Sequence, residues 1–226
     1  MTFDFHTHSF FSDGVLSPIE LIRRAHVAGY RAIAVTDHIG LANMESTIRE
    51  VAKDCALAEK HWGIKALPGV ELTHVPAAAI NECARQAKSL GARIVVVHGE
   101  TPVEPVEPGT NRAALMSSFV DILAHPGFLT TEEAQIAVVN DIFLEVTARA
   151  GHSLTNGHVV KVGLAVGAKL LVNSDAHSPD NLMKEGFAAK VAQGAGIPVE
   201  ILESVLLEHP MELLRRLEKN ETSSAS

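Results

Sequence analysis

Short apolar runs alternate with amphipathic stretches along most of the chain. The runs at 31–36 (RAIAVT), 64–72, 93–97 (RIVVV), 119–124 (FVDILA), 142–146 and 169–173 are rich in Val and Ile and lack clean polar alternation. Such runs predict short strands covered on both faces. One more strand and the turn after it occupy 3–14 (FDFHTHSFFSDG). Between the strands the apolar positions switch to helical spacing. Ser17-Pro18-Ile19-Glu20 reads as an N-cap with proline at the first helical position and an acid at the third; Leu21, Ile22, Ala25 and Ala28 continue the helix to Gly29. Ile48, Val51, Cys55 and Ala58 form the stripe of a helix over 44–62, stopped by Gly63. Further helices are expected at 76–90, 111–117, 131–140, 156–167 and 187–194, with tail helices at 198–207 and 210–219 before a frayed ETSSAS end. Seven strand–helix units imply a parallel α/β protein, closed as a barrel or open as a doubly wound sheet.

Composition narrows the class. The chain has 226 residues, 46% of them hydrophobic and 20% charged, as expected of a soluble globular protein. This length allows one large core or two small ones; the expectation is a single domain over 1–226, with C-terminal helices at about 198–220. Aromatic residues make up 4%, so the core is built from Ala, Val, Leu and Ile. The net charge of -8 argues against broad nucleic-acid binding, which needs a basic surface. Cys55 and Cys83 lack ligand spacing and lie in expected helices, so they read as reduced, buried small hydrophobes. No basic-plus-apolar leader and no stretch of membrane-spanning length is present, and the expected location is the cytoplasm. Oligomeric state is left open.

Polar residues at the strand ends then choose between the two architectures. His6 and His8, His38, Glu71, His98, His125, and Asp175 with His177 lie at or just beyond strand C-termini. They come from six of the seven expected strands. An open sheet draws its site from a few strands at a switch point, whereas a barrel converges all strand ends on one face. A barrel is therefore expected, and no glycine-rich loop follows the first strand to suggest a nucleotide fold. Imidazoles and carboxylates together suit Zn, Mn or Fe. Any one of these histidines could be a hydrogen-bonded core residue. The set converging without a metal would carry a large desolvation and repulsion penalty.

The ordered stretches DFHTHSFFSDG (4–14), TDH (36–38), GVEL (69–72), VHG (97–99), AHPG (124–127) and NSDAH (173–177) resemble the PHP (polymerase and histidinol phosphatase) domain family. The resemblance spans 3 to about 196. It implies a distorted (β/α)7 barrel, TIM-barrel-like, with a trinuclear metal site; many members hydrolyse phosphate esters, and others sit inside bacterial DNA polymerases or ribonuclease P. Carried over by motif, a first ion takes His6, His8, Glu71 and Asp175. A second shares Glu71 and adds His98 and His125, and a third takes Asp13, His38 and His177. The implied cofactors are three divalent ions (Zn, Mn or Fe). Some members carry histidine at the turn near Asp13.

The expected activity is hydrolysis of a small phosphomonoester, histidinol-phosphate-like or nucleotide-like, by a metal-activated hydroxide, with Glu71 bridging two ions. Two alternatives stay open: a metal-dependent amide or lactone hydrolase, and a non-catalytic subunit of a ribonucleoprotein or polymerase. The expected partner is a small phosphorylated molecule, with neither nucleic acid nor membrane. Arg149 and His152 follow strand six, the one strand without an assigned ligand, and are candidates for clamping phosphate; a solvent-paired loop arginine is the alternative. The loop at 99–110 (GETPVEPVEPGT) directly follows His98 and is either a surface loop or part of a lid. His74 is a candidate substrate contact, Asp4 an inward-pointing supporting carboxylate, and Asp37 a residue that turns away to bind backbone.

Overall fold

The computed structural model describes residues 1–224, with side chains to residue 219. The elements run β1 (Thr2–Asp4), α1 (Pro18–Val27), β2 (Tyr30–Val35), β3 (His38–Ile39), α2 (Met44–Trp62), β4 (Lys65–Leu72), α3 (Ile80–Ser89) and β5 (Ile94–His98). They continue with α4 (Thr110–Leu115), β6 (Ile122–Ala124), α5 (Thr131–Val139), β7 (Phe143–Thr147), α6 (Asn156–Val166), β8 (Leu170–Asn173), α7 (Phe187–Gly194) and α8 (His209–Ser224). Local signals account for the helix ends. The Ser17 side chain accepts from the Glu20 N–H, Thr130 and Glu133 form a reciprocal capping box, and Gly63 ends α2 in the left-handed conformation.

All strands pair in parallel, in the order β1-β2-β4-β5-β6-β7-β8, with the two-residue β3 paired to the end of β4. The sheet curls into a nearly closed barrel. No ladder joins β8 to β1. The seam is closed just beyond the strand ends: the His8 N–H donates to the Ala176 carbonyl (2.8 Å) and the Asp175 N–H to the His6 carbonyl (2.9 Å), around a bridge at Thr7 and Ala176. The side chains of Asn173 and Asp4 complete it, accepting from the Phe5 and Ser174 N–H groups.

Several expectations shift here. β1 ends at Asp4, so His6 and His8 extend from the strand rather than lying in it. β3 was not legible as a strand, because two residues give no periodicity. The expected helix at 76–90 opens as a 3-10 turn (Ala77–Ala79) before α3. The expected tail helix at 198–207 is a 3-10 turn (Val199–Ile201) followed by a π-helical turn (Ser204–Glu208). α8 runs on into the segment expected to fray, whose last two residues, 225–226, lie outside those described. None of the described helices is long and apolar enough to cross a membrane.

The apolar residues form two bodies. One lies between the sheet and its helices, and Cys55 and Cys83 are buried there as free thiols. The other fills the barrel interior with Phe3, Phe5, Leu67, Ile94 and Phe143, and is sealed from below by Leu213, Leu214 and Leu217 of α8. Lys169 bonds Glu212 of α8, and Arg216 of α8 pairs with Asp121 (3.1 Å). A parallel barrel otherwise leaves its lower end open, so α8 excludes water from the layer beneath the site. Leu213 is fully buried. Leu213→Ala is expected to lower unfolding free energy by about 2–5 kcal/mol, read by urea denaturation; a variant as stable as wild type would show that α8 is not part of the core.

Candidate metal centre

Each strand delivers its chemistry at the upper, C-terminal rim of the barrel. The residues expected from strand ends gather around Glu71, which is fully buried near the end of β4. Its Oε1 lies 3.3 Å from His6 Nε2 and 3.4 Å from His125 Nε2, and its Oε2 lies 2.7 Å from His38 Nδ1. Asp175 Oδ1 lies 3.2 Å from His8 Nε2. Asp13 Oδ1 stands 3.3 Å from His38 Nε2 and 3.1 Å from His177 Nε2. The His98 ring meets that of His125 edge-on at 4.4 Å. All nine expected metal-ligating residues therefore occupy one contiguous centre.

Ring orientation tells what the centre is built to hold. His6 Nδ1 donates to Glu145 (2.8 Å), His98 Nδ1 to the Gly99 carbonyl (3.1 Å) and His177 Nδ1 to the Asp175 carbonyl (2.9 Å). Carboxylates and carbonyls only accept, so these bonds fix each neutral ring with a bare lone pair on Nε2. Those lone pairs face carboxylate oxygens of Glu71, Glu104 and Asp13. With the rings neutral, acceptor would face acceptor, a repulsion relieved by a proton on Nε2 or by a cation between the two atoms. In addition, His6 Nε2, both nitrogens of His8, His125 Nδ1 and Glu71 Oε1 are buried without hydrogen-bond partners. The donor set, nitrogen and oxygen with no thiolate, fits divalent Zn, Mn or Fe. Among the described residues five groupings bring such donor atoms together: His6, His8 and Asp175; His6, Glu71 and His125; His8, Asp13, His38 and His177; His98 and His125 with His152, which was not an expected ligand; and His98 with His74 and Glu104.

The charges are mutually dependent. Burial lowers the pKa of His6, but Glu145, Glu71 and Asp175 outweigh it and hold the ring well above its usual range. Burial likewise opposes His38, yet Glu71 and Asp13 push it up to about 10. For His8 burial wins and the pKa falls to about 4. Glu71 is raised by burial and pulled well below the carboxylate range by His6, His38 and His98. Positive charge within the centre is what keeps its carboxylates ionised.

Backbone shape contributes too. His125 and Asp175 take positive φ values of 27° and 53°, uncommon for residues with a Cβ. Gly14 is required for closeness. A Cβ there would lie 2.3 Å from the His8 carbonyl oxygen, so the turn carrying Asp13 folds tightly against the His8 backbone only with glycine. Asp37 turns away from the centre as expected, accepting from the Ser9 N–H and the Ser9 and Ser12 hydroxyls. Asp4 does not share the interior with Phe3 and Phe5, but it supports the centre as expected, accepting the His6 N–H at 3.4 Å. Phe3 and Phe5 fill the interior, and Asp4 accepts the Ser174 N–H at the seam. Burial raises its pKa to about 7.

Glu145 of β7 is the residue that sequence reasoning missed. It is fully buried. Its Oε1 accepts from His6 Nδ1 and from the Asn173 amide, and its Oε2 from the His125 N–H (3.0 Å). One carboxylate thereby sets a ring, a backbone and the seam. Its signal was a lone acid in an apolar strand, at the same parity as the inward Phe143. The expectation that this strand serves the site only through Arg149 and His152 also changes. His152 is buried, stacks on His125 at 4.2 Å and accepts or donates at Thr101 Oγ1 (2.9 Å). The Arg149 side chain is partly exposed and makes no hydrogen bond or ion pair among the described residues; its backbone is used, the N–H donating to Thr147 Oγ1 and the carbonyl accepting from the Ser153 N–H.

The loop at 99–110 reaches over the centre. Glu104 lies 3.1 Å from His98 Nε2, 3.2 Å from His74 Nε2 and 3.4 Å from His152 Nε2. Bonding to His98 lowers its pKa to about 2. His74 therefore meets the loop, from a residue with φ of 52°.

The chain matches the PHP domain family over residues 4–184. It is 50% identical over 218 residues to an uncharacterized protein of Methanocaldococcus jannaschii, covering 96% of this chain and 100% of that one. It is 26% identical over 220 residues to a probable phosphatase of Thermoanaerobacter sp., covering 89% of each. The histidinol phosphate phosphatase of Lactococcus lactis, solved with Zn, L-histidinol and phosphate, superposes with a TM-score of 0.61 at 15% identity, over 87% of this chain and 94% of that one, a likeness of fold. With its barrel and its rim of histidines and carboxylates, the chain belongs to the PHP domain family, and with it to the metal-dependent hydrolases.

Proposed function

We propose that this protein is a metal-dependent phosphoesterase acting on a small phosphomonoester, with three divalent ions held at the upper rim of the barrel. One observation carries the reading: histidine nitrogens and carboxylate oxygens converge at 3.1–3.4 Å around Glu71, Glu104 and Asp13, and His6 Nε2, both nitrogens of His8 and Glu71 Oε1 are buried among them without hydrogen-bond partners. His6, His8, Glu71 and Asp175 would hold the first ion. Glu71, His98 and His125 would hold the second, with His152 beside them, and Asp13, His38 and His177 the third, with His8 beside them. Bound there, the ions supply a water deprotonated near neutral pH and neutralise charge on phosphoryl oxygens.

The protein's own groups do the positioning. Glu71 would serve the first two sites, its Oε1 facing both His6 and His125 while its Oε2 meets His38. Glu145 holds the His6 ring so that Nε2 faces the centre. Arg149, a partly exposed cation on the segment after β7, turns toward phosphoryl oxygens when substrate is present, while His152 already lines the mouth. The substrate family is the phosphomonoesters, histidinol-phosphate-like or nucleotide-like, supported by the probable phosphatase among the relatives and by the histidinol- and phosphate-bound structure of like fold.

The deciding experiment is elemental analysis of natively purified protein, followed by a screen of phosphomonoesters against amides and lactones with Zn, Mn or Fe restored. The expected result is close to three ions per chain and phosphate release. Saturation at one ion sinks the trinuclear arrangement, and amide or lactone turnover without phosphate release moves the protein to another hydrolase class. Glu71→Ala and Glu71→Gln are both expected to abolish phosphate release and to lose at least one ion, since neither side chain offers two anionic oxygens. Glu145→Gln should keep the fold but weaken metal binding about ten- to a hundredfold, measured by chelator competition; unchanged affinity would reduce Glu145 to a structural carboxylate. Arg149→Ala should leave metal content intact and lower kcat/KM by roughly ten- to a thousandfold. A value within a factor of about two of wild type returns Arg149 to the surface.

A further inference from the structure

The loop at 99–110 carries three acids, and each has a different task. Glu100 accepts from the Gly109 and Asn111 N–H groups, closing the base of the loop on itself. Glu107 accepts from the Ala77 N–H and ties the loop to the turn before α3. Gly127 takes φ of 65°, and its α-carbon sits so near the Glu100 carbonyl that a Cβ would collide with it. The base is thus fixed by bonds that do not involve Glu104, and Gly99 and Thr101 within it also bond the Nδ1 atoms of His98 and His152. Glu104, at the tip, is the acid aimed at the centre.

Glu104 meets His98 in a particular way. His98 Nδ1–H is committed to the Gly99 carbonyl, so Nε2 is the atom His98 offers at 3.1 Å from Glu104, as an N–H donor when the ring is charged and as a lone pair for an ion when it is neutral. The same carboxylate faces Nε2 of His74 and of His152. A carboxylate ringed by imidazole nitrogens, one of which belongs to a proposed ion site, has the form of a ligand sphere. Glu104 differs from Glu71 and Asp175 in being 38% exposed and mounted on a loop, whereas those two are buried. It lies on the solvent side of the His98 ring, where an incoming phosphoryl group would also seek the ion.

We propose that Glu104 is a displaceable ligand of the ion at His98 and His125: it latches the loop over the metal centre when no substrate is bound, and phosphoryl oxygens take its place. This rests on the reading that the centre holds divalent ions. The latch is an oxygen-for-oxygen exchange, anionic carboxylate against anionic phosphoryl oxygen, so no proton or electron need move. Prolines 102, 105 and 108 stiffen the segment, so that its tip would lift as a unit from its fixed base.

Hydrogen–deuterium exchange of the full chain tests it, reading the amides between Thr101 and Thr110. Wild type and Glu104→Gln are compared metal-stripped, loaded with Zn or Mn alone, and loaded with inorganic phosphate added; ion content is measured in each state. Glu104 is partly exposed on a loop, so the amide variant is expected to fold. In wild type, metal loading should slow exchange in the loop and phosphate should reverse the effect. In Glu104→Gln the loop should respond to neither, while affinity for one ion falls about ten- to a hundredfold. Ions bound with the same loop exchange in loaded and stripped wild type, or equal protection in Glu104→Gln, overturn the latch and leave the metal centre standing. A wild-type chain that takes up no ion at all removes the metal reading and the latch together.

Discussion

Buried carboxylates set against imidazole lone pairs are unfavourable unless positive charge lies among them, and the upper half of this molecule is arranged around that constraint. Glu71, Asp175 and Glu145 are each buried and each faces histidines. Their burial favours neutral acids, and only the neighbouring imidazoles keep Glu71 and Asp175 ionised. Protons on the histidines can meet part of this demand. At His6, His98 and His177 Nδ1 is already committed as donor, so Nε2 is the atom left to carry a proton or to bind an ion. Divalent ions satisfy the donors together, which links the fold's most polar region to its chemistry.

The barrel and the centre are mutually dependent. The sheet has no ladder between β8 and β1, and the seam is closed by the backbones of His6, His8, Asp175 and Ala176. Three of these four are proposed ligands. Pulling the seam apart would separate two ligand pairs, and ions bound to both sides would hold the seam shut. Below, Phe3, Phe5 and the leucines of α8 keep water from reaching the ligands through the barrel. Above, the loop at 99–110 places one carboxylate within reach of three histidines. The ligands thus sit between a dry floor and a polar lid, an arrangement that makes each electrostatic contact stronger than it would be in water.

Supporting groups matter as much as ligands. Glu145 fixes the His6 ring, the His125 backbone and, through Asn173, the strand that leads to Asp175. Asp37 gathers the Ser9 amide and two serine hydroxyls and so shapes the turn that carries Asp13. A misplacement of either would move several donors at once.

The sequence by itself determined the class of fold and which histidines and acids meet at one rim of the barrel. Apolar runs covered on both faces, helices with capped ends, and histidines or acids after six expected strands were enough, because strand parity and the chain direction of a parallel barrel bring such ends to one rim. Helix α2 was legible to the residue, since Ile48, Val51, Cys55 and Ala58 keep one face and Gly63 supplies the left-handed stop. Other features depended on contacts between residues far apart in the chain. Glu145 meets His6 across 139 positions, and nothing near it in sequence marks the meeting. β3 exists only because Glu71 and Leu72 offer it a partner strand. Asp4 shares parity with His6 and His8, but the chain leaves the strand between them, so parity stopped being a guide. Glu104 read as one of three loop acids until the barrel set it against His74, His98 and His152. Local sequence encodes periodicity and turns; which nitrogen faces which oxygen is decided where the strands converge.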